Sequence, residues 1–207
     1  RSVVADRYGR VLRALPAADG VKREWADLEA VPPGVLRVFL QAEDKRFYGH
    51  PGVDPLAVLR SALTNRQAGA TVSGASTITM QLARLIIPRP RTAAGKAAEA
   101  WDALRLEARL SKAEILELWL NGIPFGSNIE GLPAMARARF GRSVRELDDA
   151  AAALLAVVPR RPSLYDPGRN PQAAVAAARA LVFRAGLPVD AAALRAAGFT
   201  PLGGFTL

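Results

Sequence analysis

Apolar residues recur at helical spacing along most of the chain, which predicts a mainly α-helical protein. An amphipathic stretch begins at Val35, just after the turn at Pro32–Gly34, and places Glu43 near the C-terminal end of a helix. Pro55 is a typical first residue for the helical segment LAVLRSALTN. The Gly- and Ser-containing segment 67–76 predicts a loop before the next helical segment, TITMQLARLII.

The strongest helical pattern lies between Lys96 and Leu120. Ser111 and Glu114 fit a capping box, so we expect two helices here, with a restart at Ser111. Asn121–Gly122 is expected to end the second helix. One apolar stripe is predicted along this region, comprising Ala97, Trp101, Leu104, Ala108, Leu110, Ile115, Leu116 and Trp119.

The two ends of the chain have simpler patterns. The segment VRELDDAAAALLAVVP predicts a core helix closed by Pro159, and PQAAVAAARALVFRAG predicts another helix. Near the N-terminus, SVVADRYGRVLRAL alternates apolar and polar residues around Tyr8–Gly9, which predicts a short hairpin or an extended lead-in. Because no internal repeat or shift of composition marks a boundary, a single domain is predicted over residues 1–207.

Composition narrows the class of protein. A chain of 207 residues with 50% hydrophobic and 23% charged residues can bury a core and is not of the disordered type. The absence of cysteine excludes disulfides and thiolate metal sites. The longest apolar run, Ala150–Val158, is too short for a membrane span of ~20 residues. Because the chain begins at Arg1 rather than at methionine, we expect an anchor or targeting segment upstream.

The net charge of +9 indicates an anionic partner, such as nucleic acid, an acidic lipid surface or a phosphorylated substrate. Most of the excess is arginine, whose planar fork can grip a phosphate at two points. A GC-rich genome would produce the same arginine bias, so charge alone does not identify the partner.

Two segments contain side chains of the types used in catalysis or anion binding, and each segment also has an ordinary structural explanation. AEDKRFYGHPG places Glu43 and Asp44 close to the one histidine, His50, although an acidic pair is more often a solvated helix face. In SGASTITMQLAR, Ser76 and Thr77 stand at the start of a helix, where N–H groups attract anions. The same two residues are also ordinary N-caps.

A series of cations follows, made of Arg84, Arg89, Arg91 and Lys96. Such a series is usually a solvated face, but its interleaving with apolar residues and prolines is also typical of a segment that dips into a membrane interface. Lys96 and Glu99 are three residues apart on one helix face, where an exposed ion pair contributes only ~0.2–0.5 kcal/mol.

The order and spacing of these features together are far more specific than any one of them. EDKRFYGHPG resembles the first signature, E-D-x-x-F-x-x-H-x-G, of the peptidoglycan glycosyltransferases (glycosyltransferase family 51). GASTITMQLAR resembles their second, GKAAE their third, and KAEILELWLN their fourth, K-x-x-I-L-E-x-Y-L-N. The resemblance covers residues 1 to 185 approximately and is greatest to the penicillin-binding protein 1C branch of the class A penicillin-binding proteins.

Three positions depart from the family pattern. Met80 stands where most members have the first of two glutamines, and Trp119 stands where they have tyrosine. Gly95 replaces the arginine of the third signature and removes one cation from the expected site. Phosphate binding would then depend on Arg84, Arg91 and Lys96.

The resemblance implies a peptidoglycan glycosyltransferase that polymerises lipid II into β-1,4-linked glycan strands, with inversion at the donor anomeric carbon and release of undecaprenyl diphosphate. Glu43 matches the family's general base, which takes the proton of the acceptor sugar hydroxyl. Glu99 matches the second catalytic glutamate, expected to orient Lys96 or to help hold a diphosphate-bound metal. No cofactor is required by the resemblance, and a divalent cation, Mg or Mn, at the diphosphate is left open.

The resemblance also assigns the other site residues. The expected substrate-binding residues are Ser76, Thr77, Gln81, Arg84, Arg91 and Lys96. The residues expected to shape the motifs are Asp44, Phe47, His50 and Asn121. The implied fold is mainly α and lysozyme-like, with a helical head, a jaw at about 82–95 and a C-terminal helical tail at about 171–207. Leu82–Ile87 is the candidate surface for membrane contact.

Location and partners follow from the same resemblance. The expected partners are lipid II, the growing glycan strand, the membrane surface and a transpeptidase domain fused in the full-length protein. The expected location is the outer, periplasmic face of the bacterial cytoplasmic membrane.

Two alternatives remain open. A lysozyme-like lytic transglycosylase or muramidase would share the catalytic glutamate but has no use for a diphosphate-binding basic stretch. A nucleic-acid-binding module would explain the charge, but no recognised binding motif supports it, and we therefore expect no nucleic-acid partner.

Overall fold

The computed structural model describes residues 3–5, 11–14, 19–68 and 76–199, and most of these residues are helical. The helices are α1 (Pro33–Glu43), α2 (Pro55–Ala68), α3 (Ile78–Ile86), α4 (Ala93–Glu107), α5 (Lys112–Gly122), α6 (Leu132–Phe140), α7 (Asp149–Ala156), α8 (Pro162–Tyr165), α9 (Pro171–Ala185) and α10 (Ala191–Ala196). Short 3-10 helices lie at Leu28–Ala30, Phe47–Gly49, Val144–Glu146 and Val158–Arg160. The predicted mainly α fold class is confirmed.

Among the described residues, two small sheets accompany the helices. Strands β1 (Val3–Ala5) and β2 (Val11–Ala14) pair antiparallel, which confirms the two strands of the predicted hairpin. Tyr8–Gly9 lies outside the described residues. In the second sheet, β5 (Ile129–Glu130) is central, parallel to β3 (Lys22–Arg23) and antiparallel to β4 (Pro124–Gly126).

The chain forms two compact units. One comprises residues 43–119, and the other comprises residues 1–42 together with 120–207. The boundaries fall inside α1 and α5. The prediction of a single domain with a jaw at 82–95 and a tail at 171–207 stays a prediction. Within the described residues, no helix combines the length and apolar content needed to cross a membrane.

In the unit 43–119, α3 packs against α4, and the buried face of α4 differs from the predicted one. Trp101 and Leu104 were expected in one continuous stripe, yet they are 64% and 40% exposed. Glu99 and Ala103 are the buried side chains of this helix instead. Apolar spacing identified the face of α4 that contains Trp101 and Leu104, but α3 packs on the face that contains Glu99 and Ala103. The prediction of a continuous stripe was therefore wrong.

The candidate membrane segment 82–87 is divided by the same packing. Leu82 and Ala83 are buried, whereas Leu85, Ile86 and Ile87 are 36%, 56% and 46% exposed. Only the second half of the segment is therefore available for contact with a surface.

The predicted restart at Ser111 is confirmed. The Ser111 backbone N–H and hydroxyl both donate to the Glu114 carboxylate at 2.7 Å, and the Glu114 N–H donates back to the Ser111 hydroxyl at 3.2 Å. The Ser111 backbone N–H, with the hydroxyl second, holds the pKa of Glu114 below its ordinary value. This reciprocal cap is local in sequence, which is why the sequence alone could predict it.

The helix predicted between Val144 and Pro159 is shorter than expected. Its first residues form a separate 3-10 helix, and α7 begins only after Asp148, whose carboxylate accepts the Ala151 N–H at 2.7 Å. α7 ends at Ala156, ahead of Pro159, which lies in the next 3-10 helix. Every residue from Ala150 to Ala156 is buried, so α7 is the core helix that the sequence predicted.

The unit of residues 1–42 and 120–207 also buries an ion pair. The Arg139 guanidinium binds both carboxylate oxygens of Asp166 at 2.6 Å, and the two side chains are 3% and 1% exposed. The Gly168 N–H also donates to Asp166 at 2.9 Å. This bidentate pair connects α6 to the segment before α9, and its charges are removed from solvent.

We predict that Arg139→Gln lowers the free energy of unfolding by about 3 kcal/mol, because it leaves the Asp166 carboxylate buried without its cation. Arg142→Gln is the matched control, since Arg142 pairs with Asp148 at 3.6 Å with side chains that are 43% and 57% exposed. Its expected cost is below about 1 kcal/mol. Urea denaturation followed by circular dichroism measures both, and equal losses would contradict the prediction.

Candidate active site

The predicted base, Glu43, is the last residue of α1 and is half-buried. The Gln81 side-chain amide donates to its Oε2 atom at 3.0 Å. The Trp119 indole N–H in turn donates to Gln81 Oε1 at 3.2 Å. The first, second and fourth signatures therefore meet at one chain of hydrogen bonds that ends on the Glu43 carboxylate.

Asp44, next in sequence, points into the protein rather than toward solvent. Its two oxygens lie 3.1 and 3.0 Å from His50 Nε2, and its Oδ2 also accepts the Ile78 backbone N–H at 3.0 Å. The Gly52 N–H donates to His50 Nδ1 at 3.2 Å. Because Nδ1 accepts that bond, the proton of a neutral His50 ring lies on Nε2 and is donated to Asp44. This buried carboxylate holds His50 to the first turn of α3.

The predicted helix start at Thr77 is confirmed. The Thr77 hydroxyl accepts the Met80 N–H at 3.1 Å and donates to the Gly52 carbonyl at 2.5 Å. Thr77 is 2% exposed, whereas Ser76 is half-buried. Residues 69–75, including Gly74 and Ala75 of the same signature, lie outside the described residues. The roles of Ser76 and Thr77 in substrate binding stay predictions.

Of the predicted cations, Arg84 has the most defined position. Its Nε atom lies 2.9 Å from Glu99 Oε1, and the side chains are 32% and 7% exposed. The pair is close, but Arg84 Nε is not aligned for a hydrogen bond. Glu99 was expected to orient Lys96 or to help hold a diphosphate-bound metal. The pairing with Lys96 was wrong, since Glu99 pairs with Arg84, and the metal role stays a prediction. Because Glu99 faces α3, it meets a cation of another helix, while Lys96 is exposed.

Arg91 and Lys96 are exposed, and neither takes part in an ion pair among the residues that the structure describes. Arg89 instead binds Asp102, with Nη2 at 2.5 Å from Oδ2. The structure therefore brings Arg84 together with Glu99 and leaves the other two predicted phosphate-binding cations on the surface.

Gly95, the departure in the third signature, has a steric cause. A Cβ atom at this position would meet the Pro90 carbonyl oxygen at 2.2 Å. That carbonyl accepts the Thr92 N–H at 2.8 Å, and the Thr92 hydroxyl caps α4 through the Gly95 N–H at 3.0 Å. The tight turn ahead of α4 thus requires glycine here, and the arginine of the family pattern does not fit this turn.

One group of polar residues behind the first signature was not singled out from the sequence. The Lys112 ammonium donates to the His50 carbonyl and to Glu107 Oε1, both at 2.7 Å, and lies 4.4 Å from the centre of the Phe47 ring. The Thr79 hydroxyl donates to the same Glu107 oxygen at 2.6 Å. Lys112 is the first residue of the fourth signature, and only that position could have indicated from the sequence that it contacts the first signature.

Asn121 lies in the other unit and contacts the backbone ahead of α1. Its amide oxygen accepts the Ala26 N–H at 3.0 Å, and its amide nitrogen donates to the Ala26 carbonyl at 2.9 Å. The Asn121 side chain thus pairs with both backbone groups of Ala26, as the backbone of a neighbouring strand would. This contact is of the kind expected of a residue that shapes the fold.

The family model described as "Transglycosylase" matches residues 8–185. Penicillin-binding protein 1C of Escherichia coli K12 is 43% identical over 84% of this chain and 23% of that protein. Penicillin-binding protein 1A of Aquifex aeolicus VF5 is 41% identical over 84% of this chain and 24% of that protein. The chain therefore spans about a quarter of the length of these relatives.

A solved structure, that of penicillin-binding protein 1A from Haemophilus influenzae, aligns with a TM-score of 0.46 and 19% identity, over 86% of this chain and 16% of that chain. The family match extends over the four signatures and over most of the chain. The chain therefore belongs to the transglycosylase family, as a peptidoglycan glycosyltransferase domain of the class A penicillin-binding protein type that its signatures predict.

Proposed function

We propose that this chain polymerises lipid II, transferring the growing glycan to the 4-hydroxyl of an incoming lipid II with release of undecaprenyl diphosphate. The new bond joins the acceptor oxygen to the donor anomeric carbon, and the bond from that carbon to the diphosphate oxygen breaks. The acceptor proton passes to Glu43, and the diphosphate leaves with the bonding electron pair.

Glu43 is suited to the role of base. A sugar hydroxyl is a poor nucleophile until its proton is removed, and a carboxylate in hydrogen-bond reach can remove it in the transition state. The Gln81 amide fixes Oε2 of Glu43 at 3.0 Å, which holds the carboxylate in one orientation for that transfer.

The leaving group requires cations rather than a second acid. Diphosphate departs as a stable anion, and charge-assisted hydrogen bonds of ~1.5–3 kcal/mol each stabilise the charge that develops on it. In this proposal Arg84 takes that role, and its support is that Glu99 pairs with its guanidinium while about a third of the side chain, 32%, stays accessible.

The single observation that carries the proposal is the position of α3. On this one helix Gln81 binds Glu43 and, three residues later, Arg84 binds Glu99. Residues three apart lie on the same helix face. A base and a diphosphate-binding cation are therefore held by adjacent turns of the same rigid element.

The lytic alternative is not favoured, because the relatives are penicillin-binding proteins and the cleavage of a glycosidic bond has no need of Arg84. The exposed residues Leu85, Ile86 and Ile87 support contact with the membrane that carries lipid II. We propose accordingly that the domain acts at the outer face of the cytoplasmic membrane, in a longer protein that includes a transpeptidase domain.

A metal held by the protein fits poorly. Among the described residues no group of three or more His, Cys, Asp or Glu side chains is arranged to hold a metal ion, and the Glu99 carboxylate is paired with Arg84. The Mg or Mn ion that the resemblance leaves open at the diphosphate therefore enters no step above, and lipid II polymerisation assays with and without EDTA test for it.

We predict that Glu43→Gln lowers chain formation from lipid II by at least about 100-fold while the fold and lipid II binding are kept. The amide oxygen of the new side chain can still accept the Gln81 hydrogen bond but cannot take a proton. Glycan products on denaturing gels and lipid II binding in detergent measure the two properties.

Glu114→Gln is the control for this substitution, because glutamine keeps the capping box at Ser111. It should polymerise like the wild type. Near wild-type glycan synthesis by the Glu43 variant would reject the assigned base, and release of muropeptides from purified sacculi by the wild type would favour the lytic alternative.

We predict that Arg84→Gln lowers kcat for polymerisation by about tenfold or more, the equivalent of one charge-assisted hydrogen bond to the leaving group. It should also lower the melting temperature, because Glu99 is left buried and unpaired. The double variant Arg84→Gln/Glu99→Gln should regain stability without regaining activity.

Arg105→Gln, which removes an exposed cation of α4, is the control and should leave kcat unchanged. If the double variant polymerised as fast as the wild type, the Arg84–Glu99 pair would be a structural pair only.

A further inference from the structure

Trp119 occupies an unusual place for a tryptophan of this chain. It lies in the last turn of α5 and is 1% exposed, whereas Trp25 and Trp101 are 57% and 64% exposed. Its indole N–H reaches Gln81 Oε1 at 3.2 Å. The buried indole therefore contacts the residue that binds the proposed base.

We propose that Trp119 is a positioning residue that acts through Gln81: it holds the Gln81 amide in the one orientation that donates to Glu43. The inference rests on the proposed function only for the consequence in catalysis. The orientation itself is a property of the folded chain.

The direction of each hydrogen bond fixes the orientation of the Gln81 amide. An indole N–H can only donate, so the amide atom that faces Trp119 must be the oxygen. An ionised carboxylate can only accept, so the amide atom that faces Glu43 must be the nitrogen. Both neighbours thus select the same orientation of Gln81, and a flipped amide would break both bonds.

The identity of residue 119 matters for this reason. The fourth signature of the family has tyrosine where this chain has Trp119. A phenol hydroxyl both donates and accepts, so it would bind either end of an amide. Tryptophan can only donate, so its N–H binds the Gln81 amide oxygen and not the amide nitrogen. The amide nitrogen is thereby left to donate to Glu43.

Spectroscopy tests the orientation without any activity. In ¹⁵N-labelled protein, the Trp119 indole signal should be the slowest of the three to exchange with D₂O, and it should shift in Gln81→Ala. The Gln81 amide signals, identified by their loss in Gln81→Ala, should shift in both Trp119→Phe and Glu43→Gln. Gln81 amide signals that are unchanged in Trp119→Phe would overturn the proposal.

Kinetics test the consequence. Trp119→Phe should lower kcat about fivefold, the equivalent of one neutral hydrogen bond, with KM for lipid II unchanged. Trp119→Tyr, which can donate to the Gln81 amide oxygen but can also accept from a flipped amide, should recover only part of kcat. In a Gln81→Ala background, Trp119→Phe should have no further effect, since the two residues act in series.

The outcomes separate this proposal from its alternatives. A full fivefold loss on top of Gln81→Ala would show that Trp119 acts independently of Gln81 and would overturn the inference. A wild-type protein that makes no glycan would remove the proposed function, and the amide signals alone would then decide the orientation. Trp25→Phe controls for the loss of an indole, and melting temperatures for every variant show that the fold is retained.

Discussion

The candidate site depends on the hydrogen bonds of one buried carboxylate, that of Asp44. It binds the His50 ring and the Ile78 N–H, so it ties the loop after α1 to the first turn of α3. Desolvating a carboxylate is costly unless its oxygens are bonded, and here each oxygen has a partner. The position of α3 is thereby fixed, and α3 in turn directs Gln81 and Arg84 to their two glutamates.

Contacts that are local in sequence were predictable, and contacts between helices were not. The caps at Thr77 and Ser111 join residues three apart in sequence. The sequence spacing that predicts each cap is therefore the same spacing that brings its two residues into contact. Glu99 was assigned to Lys96 because the sequence shows only the neighbours on one helix. Its partner Arg84 belongs to a different helix, and the packing of α3 on α4 brings them together.

The difference between local contacts and contacts between helices also explains which features of the fold could be predicted. Apolar periodicity predicted that α4 is helical, but it did not predict which of its faces another helix covers, and Trp101 is exposed as a result. The first signature was identified with its acidic pair, yet sequence order could not show that Glu43 and Asp44 diverge. One carboxylate binds a side chain of α3, and the other binds the backbone of its first turn and the His50 ring.

The close approach of the Pro90 carbonyl to Gly95 has an evolutionary consequence. Because a side chain at 95 would collide with the Pro90 carbonyl, the effect of any substitution there is expected to depend on the residues at 90 and 92. An arginine at 95 would therefore require a different backbone path in this turn, so the absence of that cation is tied to the turn itself. Selection for phosphate affinity would therefore act on the neighbouring cations first.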